Sequence, residues 1–84
     1  MKQRSKNKGN EAYLKALGHH IERVIEKKGY KSPYDFWVNK AGDDLSRAAL
    51  NYIVAGQSDI KILTIKTLAR LLNVKPRDLL DFAE

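Results

Sequence analysis

Residues 45–56 read LSRAALNYIVAG, and this stretch decides the fold that the sequence predicts. On a helix with about 100° per residue it has one apolar and one polar side. The apolar side, which is expected to pack inward, carries Ala49, Leu50 and Ile53. We expect the helix to begin between residues 44 and 46 and to end at Gly56, because glycine favours the left-handed conformation that ends many helices.

The outward side of this helix carries residue types that suit DNA bases. Arg47 can donate two hydrogen bonds to the O6 and N7 atoms of guanine, and Asn51 can pair with the N6 and N7 atoms of adenine. Ala48 can meet the methyl group of thymine. Arg47 also lies in the first helical turn, where a recognition helix makes most of its base contacts. By themselves, Arg47 and Asn51 could equally be solvated surface residues at positions i and i+4.

Four further helices are predicted around this one, which makes the chain all-α. The first spans roughly residues 11–28 and the second roughly residues 33–41, with Ser32 as its N-cap and Pro33 at its first position. After a loop of about seven residues, the fourth begins near Thr64 and the short fifth opens at Pro76. Gly29, Gly42 and Asn73 are the predicted stops. The apolar stripes are Leu14, Leu17, Ile21, Val24 and Ile25 in the first helix, and Ile65, Leu68, Ala69 and Leu72 in the fourth.

Charge is distributed unevenly along the 84 residues, whose 16 Lys and Arg and 10 Asp and Glu leave a formal net charge of +6. Residues 1–10, MKQRSKNKGN, carry +4 of it and no acid. Because these residues lack the apolar surface that would offset the entropy cost of ordering, we expect a flexible basic arm, followed by one domain over residues 11–84. The basic residues of the arm that could neutralise DNA phosphates are Lys2, Arg4, Lys6 and Lys8. The alternative is a solubilising tail.

Composition and motifs argue against several other functions. The sequence has no cysteine, which excludes a disulfide scaffold and thiolate metal sites. No apolar run approaches the roughly 18 residues of a membrane span, so we expect a cytoplasmic protein. The surplus of basic residues favours a polyanionic partner, with nucleic acid ahead of an anionic membrane surface. No glycine-rich phosphate loop or catalytic triad pattern is present, so neither an enzyme nor a cofactor is expected.

Adjacent helical residues point about 100° apart. His19 and His20 are therefore interpreted as structural or surface residues rather than metal ligands, and Phe36 or Trp37 as core rather than a base-stacking platform.

The stretch 45–56 resembles the third helix of the Xre/Cro/CI family of lambda-repressor-like DNA-binding domains. Residues 63–80, LTIKTLARLLNVKPRDLL, are similar to the family's fourth and fifth helices. The likeness covers about residues 14–82. It implies a five-helix bundle that contains a helix-turn-helix. It also implies sequence-specific binding to a palindromic operator as a homodimer, and regulation of transcription, with repression favoured over activation.

The resemblance also implies roles for individual residues. Those placed in the major groove, with the last at its edge, are Ser46, Arg47, Ala48, Asn51 and Tyr52. Contacts to the DNA backbone are implied for Ser32, Tyr34, Gln57, Ser58 and Lys61. Near the C-terminus, Leu79, Leu80 and Phe82 present more apolar surface than a lone short helix can hide, so they are the candidate dimer interface.

The chain departs from the family pattern in the second helix and in the turn that follows it. Phe36, Trp37 and Val38 occupy a region where the family usually has a small residue, and Asp43 and Asp44 lengthen the turn. The two carboxylates could stabilise the start of the third helix through its dipole, but they would repel phosphate if they faced DNA. They favour slightly an alternative function, a protein-interaction module such as an antitoxin or adaptor.

Overall fold

Five helices make up the part of the chain that the computed structural model describes, residues 8–57 and 59–82, with side chains described from Asn10 onward. They are α1 (Lys8–Lys27), α2 (Pro33–Phe36, continued by a π-helical turn over Trp37–Ala41), α3 (Arg47–Ala55), α4 (Ile62–Leu72) and α5 (Pro76–Leu80). The all-α prediction is confirmed. None of the helices in these ranges combines the length and the apolar character needed to cross a lipid bilayer.

Helix α1 begins earlier than predicted. It includes residues 8–10, which the sequence assigned to the flexible arm, so the predicted boundary after residue 10 is wrong. Adding a residue to an existing helix costs far less than starting one, and Glu11 in the first turn complements the positive end of the helix dipole. Lys8 is therefore the first residue of α1, whereas Lys2, Arg4 and Lys6 lie outside the described residues.

The predicted apolar stripes of α1 and α4 form most of the core. The buried side chains of α1 are Leu17, Ile21 and Ile25, and those of α4 include Ile65, Leu68, Ala69 and Leu72. Leu14 and Val24 are half-buried at the edges of the first stripe. Helix α1 packs against α2, α3 and α5, and α4 packs against α5 and the π-helical turn. Both periodicity predictions are thus confirmed, and α1 is the central element of the fold.

Three of the four predicted helix stops have a positive φ, and Gly42 is the exception at −59°. Gly29, with φ = +100°, follows α1, and its N–H donates to the carbonyl oxygen of Glu26. Gly56 has φ = +70° and follows α3, and Asn73 has φ = +59° and follows α4. The amide N–H of each residue bonds back to carbonyl oxygens in the last turn of its helix, which satisfies groups that a helix end otherwise leaves open.

Two glycines allow α1 and the end of α3 to come into backbone contact. A Cβ atom on Gly18 would lie 2.5 Å from the carbonyl oxygen of Ile53 and 2.6 Å from that of Val54. On the other side of the contact, a Cβ atom on Gly56 would lie 2.5 Å from the Cα atom of Lys15. No real Cβ atom tolerates these distances, so this crossing of α1 and α3 requires glycine at both positions.

The apolar C-terminal residues are less exposed than the sequence predicted. Leu79 is completely buried, because α5 packs on both α1 and α4, and the prediction that it lies on an exposed dimer surface is wrong. The Phe82 ring is half-buried, with ring centroids 5.2 Å from Tyr13 and 5.7 Å from His20. Of the three residues only Leu80 is substantially exposed, at 41%.

We expect Gly18→Ala to lower the free energy of unfolding by about 1–3 kcal/mol, because the added methyl group must push the α3 backbone away. Helix propensity alone would give the opposite sign, a gain of roughly 0.5–1 kcal/mol. Chemical denaturation measures the difference. The reverse exchange at an exposed α1 position, Ala12→Gly, calibrates the propensity effect without the contact. A more stable Gly18→Ala variant would contradict the close approach.

Candidate nucleic-acid interface

Helix α3 has the two sides that the sequence predicts. Leu50 and Ile53 are buried, at 1% and 7% exposure, and Ala49 is half-buried beside them. The opposite side is exposed and consists of Arg47, Ala48, Asn51 and Tyr52. These are four of the five residues that the resemblance assigns to the major groove, so they share one accessible helix face. Arg47 and Asn51 stand one turn apart on it.

Ser46, the fifth residue assigned to the groove, is the N-cap of α3. Its Oγ atom accepts a hydrogen bond from the backbone N–H of Ala49 at 3.0 Å. The side chain is exposed, but its hydroxyl oxygen already has a structural task, which is to satisfy one of the free donors at the helix start. Serine directly before an apolar-periodic stretch is the sequence pattern that indicates such a cap.

The start of α2 carries two residues that the resemblance assigns to the DNA backbone. Ser32 is the N-cap, as predicted, and its Oγ atom accepts from the N–H of Asp35 at 3.1 Å. The Asp35 carboxylate in turn accepts from the N–H of Lys31 at 2.8 Å. Tyr34, in the first turn of α2, is 53% exposed. The Ser32 oxygen is thus used within the helix start, whereas the Tyr34 side chain remains accessible.

Tyr34 and Arg47 are in direct contact although they belong to different helices. The Cζ atom of the Arg47 guanidinium lies over the Tyr34 ring, 4.6 Å from its centroid. The Tyr34 ring also lies beside the Trp37 ring, with the centroids 6.2 Å apart and the planes tilted by 29°. The structure therefore joins a predicted base-reading residue to a predicted backbone-contact residue, a pairing that the sequence did not predict.

The turn between α2 and α3 is closed by the only tryptophan of the chain. The indole Nε1–H of Trp37 donates to the carbonyl oxygen of Leu45 at 2.8 Å. The backbone N–H groups of Asp44 and Leu45 both donate to the carbonyl of Ala41, each at 2.9 Å. Ala41 itself is completely buried, so a small side chain lies at the end of α2, where the turn begins. Phe36 is fully buried and Trp37 half-buried, which confirms their assignment to the core.

The two carboxylates that lengthen this turn have different surroundings. Asp44 pairs with Arg70 of α4, with 3.2 Å between the Oδ1 and Nη2 atoms, whereas Asp43 is exposed. The Arg70 side chain is 64% exposed and that of Asp44 35%, so the pair contributes at most about 1 kcal/mol to stability. Its main effect is electrostatic, because Arg70 compensates the Asp44 charge.

The loop between α3 and α4 carries the remaining predicted backbone contacts. Gln57 and Lys61 are exposed, and Ser58 lies outside the described residues. A cavity of about 290 Å³ separates the loop from α3 and is lined by Leu45, Ala49, Tyr52, Ile53, Asp59, Ile60, Lys61 and Thr64. Tyr52 and Lys61 therefore border the same cavity, which places this part of the loop beside the edge of α3 that carries Tyr52.

Immediately after Lys61, two adjacent large apolar residues face solvent. Ile62 is 71% exposed and Leu63 is 70% exposed, more than any other large apolar side chain in the described ranges. The family resemblance implies no role for them, although the sequence has two consecutive aliphatic residues directly before the predicted helix start at Thr64.

His20 has structural partners, as the sequence predicts. Its Nε2 atom lies 2.8 Å from the carbonyl oxygen of Asp78, and its ring is stacked against Phe82. His19, on the neighbouring face of α1, is exposed. His20 thus contributes to the attachment of α5 and the C-terminal residues to α1.

No protein-family model, curated protein or solved structure matches this chain.

We expect the Trp37 indole proton to exchange with solvent far more slowly than that of an exposed tryptophan, because it is held by the Leu45 carbonyl. As the chain has a single tryptophan, the NMR signal is unambiguous. Trp37→Phe should cost about 1–3 kcal/mol of stability, since it leaves that carbonyl without its partner. Val38→Ala, a truncation at a neighbouring side chain that is 51% exposed, is the control and should cost less. This role would be contradicted if the indole proton exchanged rapidly and if Trp37→Phe and Val38→Ala lost equal stability.

Proposed function

We propose that this chain is a lambda-repressor-like helix-turn-helix domain that binds double-stranded DNA sequence-specifically as a homodimer. In this proposal it is a cytoplasmic regulator of transcription, with repression favoured over activation. The observation that carries the proposal is the position of Arg47 and Asn51. Both are exposed, one helical turn apart, on the side of α3 opposite the buried Leu50 and Ile53. Arginine and asparagine are the side chains that best recognise guanine and adenine from the major groove.

The connection between α2 and α3 supports the assignment of α3 as a recognition helix. The two helices pack against each other, and the turn between them is held by the Trp37 indole and the Ala41 carbonyl. A recognition helix needs this rigidity, because base-specific hydrogen bonds require the helix to enter the groove at a defined position. Ser46 fixes the first turn of α3, from which Arg47 projects.

Charge near this face is compatible with contact to phosphate. Lys61 and Gln57 are exposed on the loop after α3, and the Asp44 carboxylate is paired with Arg70. The +4 charge of residues 1–10 would add sequence-independent affinity, since each cation that neutralises a phosphate releases counterions. In this proposal the arm and the loop contribute affinity, and Arg47 and Asn51 contribute specificity.

A homodimer is proposed because a single short helix reads only a few base pairs, and two half-sites about one DNA turn apart multiply specificity. With Leu79 buried, we assign the contact between the two copies to Ile62 and Leu63, each about 70% exposed. These residues directly follow Lys61, so their association would bring the backbone-contact loops of the two copies close together.

Selection from a library of random duplexes tests the proposal, and a palindromic consensus is the expected result. Arg47→Ala and Asn51→Ala should each weaken binding to that consensus by about 1–3 kcal/mol and relax the preference at one base position per half-site. Titration against the consensus and against duplexes mutated at each position measures this loss.

Arg23→Ala is the matched control, because it removes the same charge from an exposed position of α1 beside His19 and His20. It should leave the preference unchanged. If Arg47→Ala lowered the binding affinity equally on every duplex, the base-reading role of Arg47 would be refuted.

We expect the double variant Ile62→Ser/Leu63→Ser to weaken self-association at least tenfold on the consensus duplex, since each buried aliphatic side chain contributes about 1.5 kcal/mol or more. Sedimentation velocity with and without the duplex measures it. Leu80→Ser, a similar truncation at a residue that is 41% exposed, is the control and should dimerise as the parent chain does. Weaker self-association in Leu80→Ser, with no weakening in the double variant, would instead place the interface at the C-terminal residues.

The exposed pair Ile62 and Leu63 also favours one second candidate, the protein-interaction module. In that case the apolar pair would contact a different protein, and the exposed side of α3 would be an ordinary solvated surface. Absence of binding to any duplex at low salt would support this alternative, because even non-specific DNA binding is strong at low ionic strength.

A further inference from the structure

We infer that Tyr34 is a positioning residue for Arg47, and that the Tyr34 ring, rather than its hydroxyl group, sets how strongly the domain discriminates guanine. This inference rests on the proposed function and adds a specificity role that the resemblance does not imply for Tyr34, since the resemblance assigns this residue to the DNA backbone. The observation behind it is the contact of the Arg47 guanidinium with the face of the Tyr34 ring, at 4.6 Å from the centroid.

The contact leaves Arg47 free to donate hydrogen bonds. An arginine that pairs with a carboxylate uses its N–H groups, whereas one that lies over an aromatic ring is held through the charge of the guanidinium and the electrons of the ring face. In the described part of the chain, the one ion pair is that of Arg70 with Asp44, and no carboxylate pairs with Arg47. The donors that would recognise the O6 and N7 atoms of guanine are therefore not used by a carboxylate of these residues.

Tyr34 is itself held by a neighbouring side chain. Its ring lies against Trp37, whose indole is bonded to the Leu45 carbonyl, two residues before Arg47. The backbone at Arg47 is set by the Ser46 cap. The Arg47 backbone is thus fixed by the Ser46 cap, and the Arg47 guanidinium rests on Tyr34, which in turn lies beside Trp37.

Such attachment has a physical consequence for binding. A free arginine side chain loses rotamer entropy when it is ordered on DNA. A side chain that is already oriented loses less, so more of the hydrogen-bond energy appears as discrimination between bases. An exposed cation–π contact contributes about 0.5–1 kcal/mol, so loss of the ring should reduce discrimination about two- to fivefold.

The experiment compares Tyr34→Phe and Tyr34→Leu on the selected consensus duplex and on the same duplex with its guanine replaced. Phenylalanine keeps the ring and loses the hydroxyl, whereas leucine loses the ring and keeps an apolar side chain. We expect Tyr34→Phe to retain the discrimination ratio and Tyr34→Leu to lower it two- to fivefold, with little change in affinity for the replaced duplex. In Arg47→Ala, the further exchange Tyr34→Leu should have no additional effect on the ratio.

Tyr13→Leu is the matched control, because Tyr13 is 52% exposed and its ring contacts Phe82 instead of Arg47. NMR of the free protein tests the contact without DNA: the ring current of Tyr34 should shift the Arg47 Hδ protons upfield, and Tyr34→Leu should abolish the shift.

Each alternative outcome has a distinct meaning. The inference would be overturned, while the proposed function stands, if Tyr34→Leu lost the same affinity on both duplexes. It would also be overturned if Tyr34→Phe lowered the discrimination ratio as much as Tyr34→Leu. Either result would make Tyr34 only a phosphate contact. An unshifted Arg47 signal in the parent chain would overturn it at the level of structure. If Arg47→Ala left the guanine preference intact, both the base-reading role of Arg47 and the inference built on it would fail.

Discussion

The rest of the structure depends on the backbone contact between α1 and the end of α3. At most helix crossings side chains keep the two helix axes about 8–10 Å apart, but here Gly18 and Gly56 leave no side chain at the crossing point. Helix α1 also packs against α2 and α5, so α2, α3 and α5 all pack on the same helix. The α1 residues Leu17, Ile21 and Ile25, next to and after Gly18 in the chain, are buried in the core.

The position of α3 has a second determinant in the turn that precedes it. Trp37 closes the turn through its indole N–H, and Asp44 connects it to α4 through Arg70. Trp37–Ala41 adopt π-helical geometry directly before this turn. Ala41, the last residue of that segment, is completely buried, so a small side chain lies where α2 meets the turn.

These two constraints bear on function because they act on the same helix. The crossing with α1 holds the C-terminal end of α3, and the turn holds its N-terminal end, where Arg47 lies. The outward residues of α3 are consequently displayed on a helix that is fixed at both ends, and Gln57 and Lys61 in the loop that follows are exposed. A surface of this kind can support base recognition on the helix and phosphate contacts on the loop, with the division of energy that the proposal assigns to them.

The sequence by itself determined the helical class, the two sides of α3, the stripes of α1 and α4, and the stops at Gly56 and Asn73, because each follows from local periodicity or from the backbone preference of a single residue. The hydrogen-bonding groups of Arg47 and Asn51 also identified them as candidate base-reading residues. Only the tertiary structure decided the burial of Leu79, the need for glycine at Gly18 and the contact of Tyr34 with Arg47. These three features depend on which elements meet in space, and residues far apart in the chain carry no local pattern that states their distance.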